Sequence, residues 1–511
     1  MFQKIRLSLV VFFTIVFLVI TPLLILYAKD YHFDFNRHRL VKGGNLFIDS
    51  QPRDASVIIN NAVVKQPWYN SLLFYKDIFG LVKRQGTTTS LVNNLLPGEY
   101  SVMIKKDGFQ SWQKKINIES GETTLVKTIQ LFLEQPKLEV IDESSISKNW
   151  PSPSRTKVIY TVQTINPVNK SLIWQVKLFD VVKEKLSTFD ELKGVGEIID
   201  VLWSDGENNL LISAKPTGAQ ALKYFVFNST EKKLIQLNKA FPKFVFPVAK
   251  DQTNLKWLGD SSDIILVNTK NTLYSLNFAL GNTELFFELP SGRIKDWQID
   301  GQYINILNLT DQGLFFEKYK LKNNLKAEKT TPILTVDLPD HFFKFLALSK
   351  SKDFDFLINQ EGSELIVLQY DLFTNSITQI VLKSKGVLSF KNADKLFYWN
   401  DYELWILNPV KTSDEQISML NQEIITRLSQ PITLGLIHPS EDYLIYVTRA
   451  DSPIKEDQIR IVELAGPSEY NNYLIFPTKK ISNLFWSNDP AYLYFIGESG
   501  DKTGLFKLQI Q

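Results

Sequence analysis

Apolar positions along the chain follow three successive patterns, and each predicts a different kind of element. From Leu7 to Ala28 they form a run broken only by Ser8, Thr14, Thr21 and Pro22, long enough at about 1.5 Å per residue to cross a bilayer as a helix. From Gly43 to Leu133 they alternate with polar residues in short stretches bounded by turn formers, the period-2 signature of half-buried strands. "GGNLFIDSQPRDASVIINN" sets Leu46 and Ile48, then Val57 and Ile59, on either side of Pro52. "NNLLPGEYSVMIKKDGFQSW" sets Tyr100, Val102 and Ile104 between a turn at Pro97 and Gly98 and a second at Lys105 to Gly108, and "INIESGETTLVKTIQLFL" adds a strand pair around Ser120 and Gly121.

Beyond Pro136 the pattern becomes a repeat. A tryptophan or other apolar residue, a polar turn and an apolar strand recur in "NWPSPSRTKVIYTV" (Trp150), "VLWSDGENNLLIS" (Trp203), "LKWLGDSSDIILV" (Trp257), "KDWQIDGQYINIL" (Trp297) and "LFWSNDPAYLYFI" (Trp486), with looser copies between them. Further apolar strands follow each copy, as in "TLYSLNFAL", "ELIVLQYDLF" and "YELWILNPV". Four strands per unit of roughly 40 to 55 residues, without 3.6-residue periodicity, predict a β-propeller of seven or eight blades. Trp150, Trp203, Trp257, Trp297 and Trp486 are expected at one equivalent place per blade, packing neighbours together. The final copy is one strand short, so "PKLEVID" (136–142) is expected to supply the outer strand of the last blade through Lys137 to Ile141. One stretch departs from the β pattern: "TSDEQISMLNQEIITRL" spaces Ile417, Leu420, Ile424 and Leu428 as on a helix, with Ser413 and Gln416 placed as a capping box.

The 43–133 segment resembles a known module. Gly44, Leu46, Ile48, Ser50, Pro52, Ala55, Val57 and Ile59, then Leu96, Pro97, Gly98, Tyr100 and Val102, then Gly108, Phe109 and Trp112 look like a PEGA domain. That resemblance implies a small β-sandwich-like unit of surface-exposed, membrane-anchored prokaryotic proteins, with a spacer or adhesion role. The chain departs from the family at an aromatic insert (63–86) carrying Trp68, Tyr69, Phe74, Tyr75 and Phe79; Gly86 and Thr87 keep the first part of the family's Gly-x-Thr-Pro segment, and Thr88 or Thr89 stands where the family has proline. These rings are expected to pack within the module or against a neighbour. The Trp-Ser-Asp and Trp-Ser-Asn turns at Trp203 and Trp486 resemble those of tryptophan-aspartate-type and related exported propellers, a likeness of fold and not of function.

Composition narrows the function classes. Hydrophobic residues make up 44% and charged residues 22% of the 511, the formal charge is +2 and there is no cysteine. A near-neutral balance gives no footprint for nucleic acid, and the missing thiols exclude disulfides, thiolate metal sites and a cysteine nucleophile. Lys4 and Arg6 precede the apolar run while Lys29, Arg37, Arg39 and Lys42 follow it. Long domains translocate largely regardless of charge. Residues 1–30 are therefore expected to be a cytoplasmic leader and single-pass membrane anchor (Leu7 to Ala28), with 43–133 and the 136–511 propeller outside the cytoplasm.

No catalytic motif stands out. A hydrolase domain would need Gly-x-Ser-x-Gly in a strand-to-helix context, whereas "GESG" at Gly497 to Gly500 lacks that spacing. His32, His38, His341 and His438 are far apart and are expected to be solvated or to cap turns. The acidic stretches "SDGENN" (Ser204 to Asn209) and "GDSSD" (Gly259 to Asp263) offer oxygens of the kind calcium takes, but tight turns use the same residues. The expectation is a non-enzymatic surface protein with no catalytic residues, cofactor or metal, whose propeller binds an envelope protein or glycan. The rival is an envelope-glycan hydrolase or lyase with carboxylates converging on the channel mouth.

Overall fold

The computed structural model describes residues 2–28, 31–34, 39–63, 87–165, 172–192, 195–216, 221–246, 255–258, 263–300, 303–321, 332, 334–338, 343–345, 354–361, 364–371, 376–389, 395–407, 422–438, 440–450, 456–464, 470–486 and 489–511. The aromatic insert beyond Val63, and with it Trp68, Tyr69, Phe74, Tyr75 and Phe79, lies outside them. Phe2–Ala28 is a helix containing Pro22. Its side chains Val10, Phe12, Phe13, Phe17 and Leu18 are exposed. Among the described residues no helix is long and apolar enough to cross a membrane.

The chain divides into two compact units. The first comprises Met1–Lys137 and two returning segments, Val462–Ile475 and Gln509–Gln511. Its module is a sandwich of two small sheets. One orders Ser90–Leu95, Gly44–Gln51 and Thr123–Gln130, and the other orders Ala62–Val63, Ser56–Ile59, Gly98–Lys105 and Trp112–Ile118. Alternation along the strands turns Leu46, Ile48, Val57, Ile104, Trp112, Ile116 and Ile118 into one core, as the period-2 pattern requires. Gly98 opens its strand at φ +155° with nothing within 4 Å of where a Cβ would stand, so its demand for glycine comes from the backbone. Within the same unit Glu463 accepts from the Trp112 indole at 3.0 Å and from Asn471 at 3.0 Å, and it pairs with Lys114 at 3.2 Å. Both ends of that ion pair are buried, so each charge depends on the other for its solvation.

The second unit is a β-propeller. Six four-stranded antiparallel sheets follow one another along the chain and a seven-stranded sheet ends the series. Blades 1 to 6 begin with the strands Ile146–Pro151, Glu197–Trp203, Leu255–Trp257, Arg293–Asp300, Phe343–Phe345 and Gly386–Ser389. In the seven-stranded sheet the 15-residue strand Asn472–Trp486 serves twice. Its first part ends blade 7, which starts at Ile432–Ile437, and its second part begins blade 8. Among the described residues the strand order therefore makes eight blades. Lys137–Asp142 lies at the edge of that sheet beside the C-terminal strand Lys502–Gln509, where the sequence places the outer strand of the last blade.

The ring closes through apolar packing of blade 8 on blade 1. Val158, Tyr160, Phe179 and Val181 share a cluster with Phe485, Tyr494, Ile496 and Leu505. Polar groups reinforce the seam. Asp142 accepts from Lys177 at 2.8 Å and Tyr160 at 2.6 Å, and Glu184 accepts from Tyr494 at 2.9 Å and from Lys507.

The helix expected around Ile417 to Leu428 is corrected where the structure describes it. Gln422–Arg427 is a strand paired antiparallel with Glu403–Leu407, setting Trp405 opposite Ile424 and Leu407 opposite Gln422. Helical spacing of a few apolar residues yields here to the hydrogen bonds that a fourth strand supplies to the blade's exposed edge. Residues 408–421 lie outside the described set.

Candidate functional site at the inner strands

The first strands of successive blades lie side by side around the axis, and a register irregularity recurs in them. Pairing slips between Ile146 and Lys148, Ile198 and Asp200, Ile294 and Asp296, Ile432 and Leu434, and Lys479 and Asn483. Such bulges re-aim the residue that follows. That residue is polar in four of the five cases, and each of the four bonds to an adjoining blade. Lys148 pairs with Glu197 at 2.9 Å and donates to the Ile198 carbonyl at 3.2 Å. Asp200 accepts from the Trp150 indole at 3.1 Å. Asp296 accepts from Lys256, which also reaches the Trp297 carbonyl at 2.7 Å. Asn483 donates to Asn149 at 2.7 Å, linking blade 8 to blade 1. Burial pushes the Asp200 carboxyl above the usual carboxylate range against the opposing effects of the Val201 amide, Trp150 and Lys148.

The tryptophans do not share one place, which corrects the expectation of equivalence. Trp203, Trp257 and Trp486 each pair with the second residue of the following strand: Leu210, Ile265 and Leu493. In blade 1 that position belongs to Pro151, and Trp150 precedes it by one residue. In blade 4 it belongs to Ile299, and Trp297 precedes it by two. A one-residue offset turns a side chain to the opposite face of its sheet, so Trp150 meets Asp200 while Trp297 sits 1% exposed in the core between blades 3 and 4. The packing role itself is visible in the bonds. Trp203 donates to the Trp150 carbonyl at 3.2 Å and Trp257 to the Leu202 carbonyl at 3.1 Å, each reaching back one blade to the same register position.

Every blade begins at its first strand and runs up and down, so the turns after the first strands gather at one end of the ring. Three side chains from neighbouring blades meet the chemistry of that end: His438 after the first strand of blade 7, Trp486 at the end of that of blade 8, and Arg155 in the turn of blade 1. The His438 ring stands edge-on to Trp486 with centroids 4.5 Å apart. His438 is 7% exposed, and burial pushes its imidazole down to about 4. It caps its own turn, accepting from the Ser440 amide at 3.1 Å; it is not solvated. The sequence signal for this position is its register, since "IHPSED" stands where "WSDGEN" stands in blade 2.

The other expected site residues are placed as follows. Ser204 to Asn209 is a turn closed by Ser204 and Asn209 backbone bonds at 2.9 Å. Asn209 and Asp263 line one cleft of about 350 Å³ with Glu231 and Lys233; residues 259–262 are outside the described set. Among the described residues no three His, Asp or Glu side chains are grouped to hold a metal ion. Tyr492–Ser499 is a strand that turns at Gly500 (φ +60°) into another strand, not into the helix that a nucleophile elbow needs. His38 and His341 lie outside the described residues, and only the backbone of His32 is described, in the strand Tyr31–Asp34.

Comparison with solved structures returns propellers. The Dos1 propeller is 11% identical with a TM-score of 0.45, covering 73% of this chain and 94% of that one. The β-propeller domain of the Trilobed protease from Pyrococcus furiosus, described as having an open velcro topology, is 11% identical with a TM-score of 0.38, covering 64% and 96%. An oligogalacturonate lyase in complex with manganese is 10% identical with a TM-score of 0.32, covering 69% and 80%. At such distance they carry no argument about function. No curated protein matches the chain. The family comparison covers the later part of the small module: residues 83–131 match the PEGA domain, which takes in Leu96 to Val102 and Gly108 to Trp112 but not Gly44 to Ile59.

Proposed function

We propose that the protein is a non-enzymatic, membrane-anchored surface protein in which the PEGA domain is a spacer and the β-propeller binds a protein or glycan of the cell envelope. The observation that carries the non-enzymatic part is the use made of the inner-strand carboxylates. Glu197, Asp200 and Asp296 are each engaged by a lysine or indole of the preceding blade, an arrangement that spends them on holding the ring together. Glycoside cleavage would need two carboxyl groups facing a shared substrate about 5 to 10 Å apart. Anchoring rests on the apolar run Leu7 to Ala28, whose exposed side chains at Val10, Phe12, Phe13, Phe17 and Leu18 need an apolar cover.

Co-sedimentation with turnover tests the reading. The detergent-purified full chain should be retained by isolated envelope material without releasing soluble saccharides; sustained release would overturn the non-enzymatic assignment. Protease added to intact cells should digest the chain beyond about Tyr31, and complete protection would overturn the orientation.

A further inference from the structure

We propose that His438, Trp486 and Arg155, contributed by blades 7, 8 and 1, bind an oxyanion, a carboxylate or phosphate group carried by the ligand. The inference rests on the binding reading above and names the chemistry of that same end of the ring. It follows from a surplus of donors. His438 Nδ1 accepts from the Ser440 amide at 3.1 Å and lies 2.7 Å from the Ser440 hydroxyl, so in the neutral ring the proton belongs to Nε2. Among the described residues that Nε2–H has no hydrogen-bond partner, and neither has the indole Nε1–H of Trp486. Both residues are more than nine-tenths buried, at 7% and 6% exposed, and their rings are in contact. A buried donor left unpaired costs about 1–3 kcal/mol, and two side by side ask for one acceptor-rich group.

Arg155 supplies the charge. Its Nη1 donates to the Leu484 carbonyl at 3.4 Å, two residues before Trp486 on the same strand. No carboxylate pairs with it among the described residues. Glu207, in the adjoining turn of blade 2, is taken by the Ser154 amide at 2.7 Å and the Thr156 hydroxyl at 3.3 Å. A guanidinium carries five N–H donors in a planar fork that matches carboxylate and phosphate oxygens. One long bond to a carbonyl leaves most of that fork unmatched. Three neighbouring blades thus present an Arg fork, an imidazole N–H and an indole N–H, and the complement of such a set is an anion with two or more acceptor oxygens.

The test follows the Trp486 indole directly. The full chain in detergent micelles, labelled with ¹⁵N at tryptophan, is titrated at constant ionic strength with sodium phosphate and, separately, with sodium glucuronate; Trp486→Phe identifies the resonance. The Trp486 N–H signal should move saturably with one or both probes, while the other nine tryptophans stay in place. Arg155→Met should weaken the response at least about tenfold. If that variant does not fold, Arg155→Lys, which keeps the charge but loses the fork, should weaken it in the same direction. A signal that stays still up to about 50 mM of both probes, or that moves unchanged in the Arg155 variants, overturns the site. A response to phosphate alone or to glucuronate alone assigns the source of the oxyanion. Retention on envelope material with a silent Trp486 defeats this inference and leaves the binding reading intact; saccharide release with a responding Trp486 does the reverse.

Discussion

Trp203 and Trp257 in the early blades and Trp486 in the last blade stand at the same register, opposite the second residue of the following strand. The first two reach back one blade and donate to a main-chain carbonyl at 3.2 and 3.1 Å. The acceptor equivalent to Leu202 in blade 7 is the carbonyl of Leu436, yet among the described residues the Trp486 indole N–H has no partner, and the ring contacts His438 instead. The N–H at the same register is therefore hydrogen-bonded across blades in one part of the ring and unpaired among the described residues in another, although the Trp486 ring still packs on His438 of the preceding blade. A buried donor without an acceptor calls for one, which is why the neighbourhood of His438 and Trp486 is the place to look for a ligand.

The largest effect is expected where the two parts of the ring meet. Replacing Leu138 and Val140 together with Asp in the strand Lys137–Asp142 would put two carboxylates into half-buried positions beside the C-terminal strand. Urea unfolding should show a loss of roughly 3–5 kcal/mol from burial and unpaired charge. A loss below about 1 kcal/mol would mean that the seam is held by the Phe179–Tyr494 cluster alone and that this strand is dispensable.

The next effect is a pH dependence particular to the late blades. His438 is neutral in the folded chain with a pKa near 4 because burial disfavours its charge, and unfolding returns it to about 6.5. The unfolded chain then binds the extra proton, so this contribution is fully present above about pH 6.5 and is lost as pH falls toward 4. The loss approaches about 3 kcal/mol at the acid end. Carboxylates titrate in the same window, so the quantity to read is the difference between wild type and His438→Phe. The variant should show a shallower fall between pH 6.5 and 4, and parallel curves would show that His438 is protonated in the folded protein.

A control comes from the first unit. Gly98 has φ +155°, a conformation that a β-branched residue adopts only with strain of about 1–3 kcal/mol. Gly98→Val should lower the stability of the PEGA domain by that amount and leave both kinds of indole untouched, as read by hydrogen exchange in the strands Gly98–Lys105 and Trp112–Ile118.

Alternation of apolar residues with period 2 made the strands of both units legible, and the recurring turn made the blades countable. Lys137–Asp142 was legible for the same reason: its pattern is a strand's, and the C-terminal repeat lacked one. What alternation does not carry is register. Trp150, Trp203 and Trp297 look alike in the sequence, but they follow the bulged residues Lys148, Asp200 and Asp296 by two, three and one positions, and alternation does not show where those bulges fall. Those bulges have no composition of their own. The helix expected near Ile424 failed for a related reason, since spacing within one segment says nothing of the edge waiting at Glu403–Leu407. His438 was visible as a residue and invisible as a buried one, because burial there depends on Trp486, 48 positions away in the next blade.

The smallest effect bears most directly on the two kinds of indole. Trp→Phe removes the same ring atoms at Trp203, Trp257 and Trp486, so the cost of lost packing is shared and differences among the three report the N–H. At Trp203 and Trp257 the substitution breaks the indole's bond to the Trp150 or Leu202 carbonyl, which should add about 1 kcal/mol to the packing cost. At Trp486 no bond is broken and a buried unpaired donor is removed, so the N–H contributes nothing favourable in the ligand-free chain and its removal should offset part of the packing loss. Urea midpoints should therefore place Trp486→Phe above both other variants. Added phosphate or glucuronate should then narrow that gap by stabilising the wild-type chain more than Trp486→Phe, because only the wild type has the indole to donate. Equal costs at all three positions would show that Trp486 has a partner equivalent to the Leu202 carbonyl, and the distinction between the early and late blades would fall.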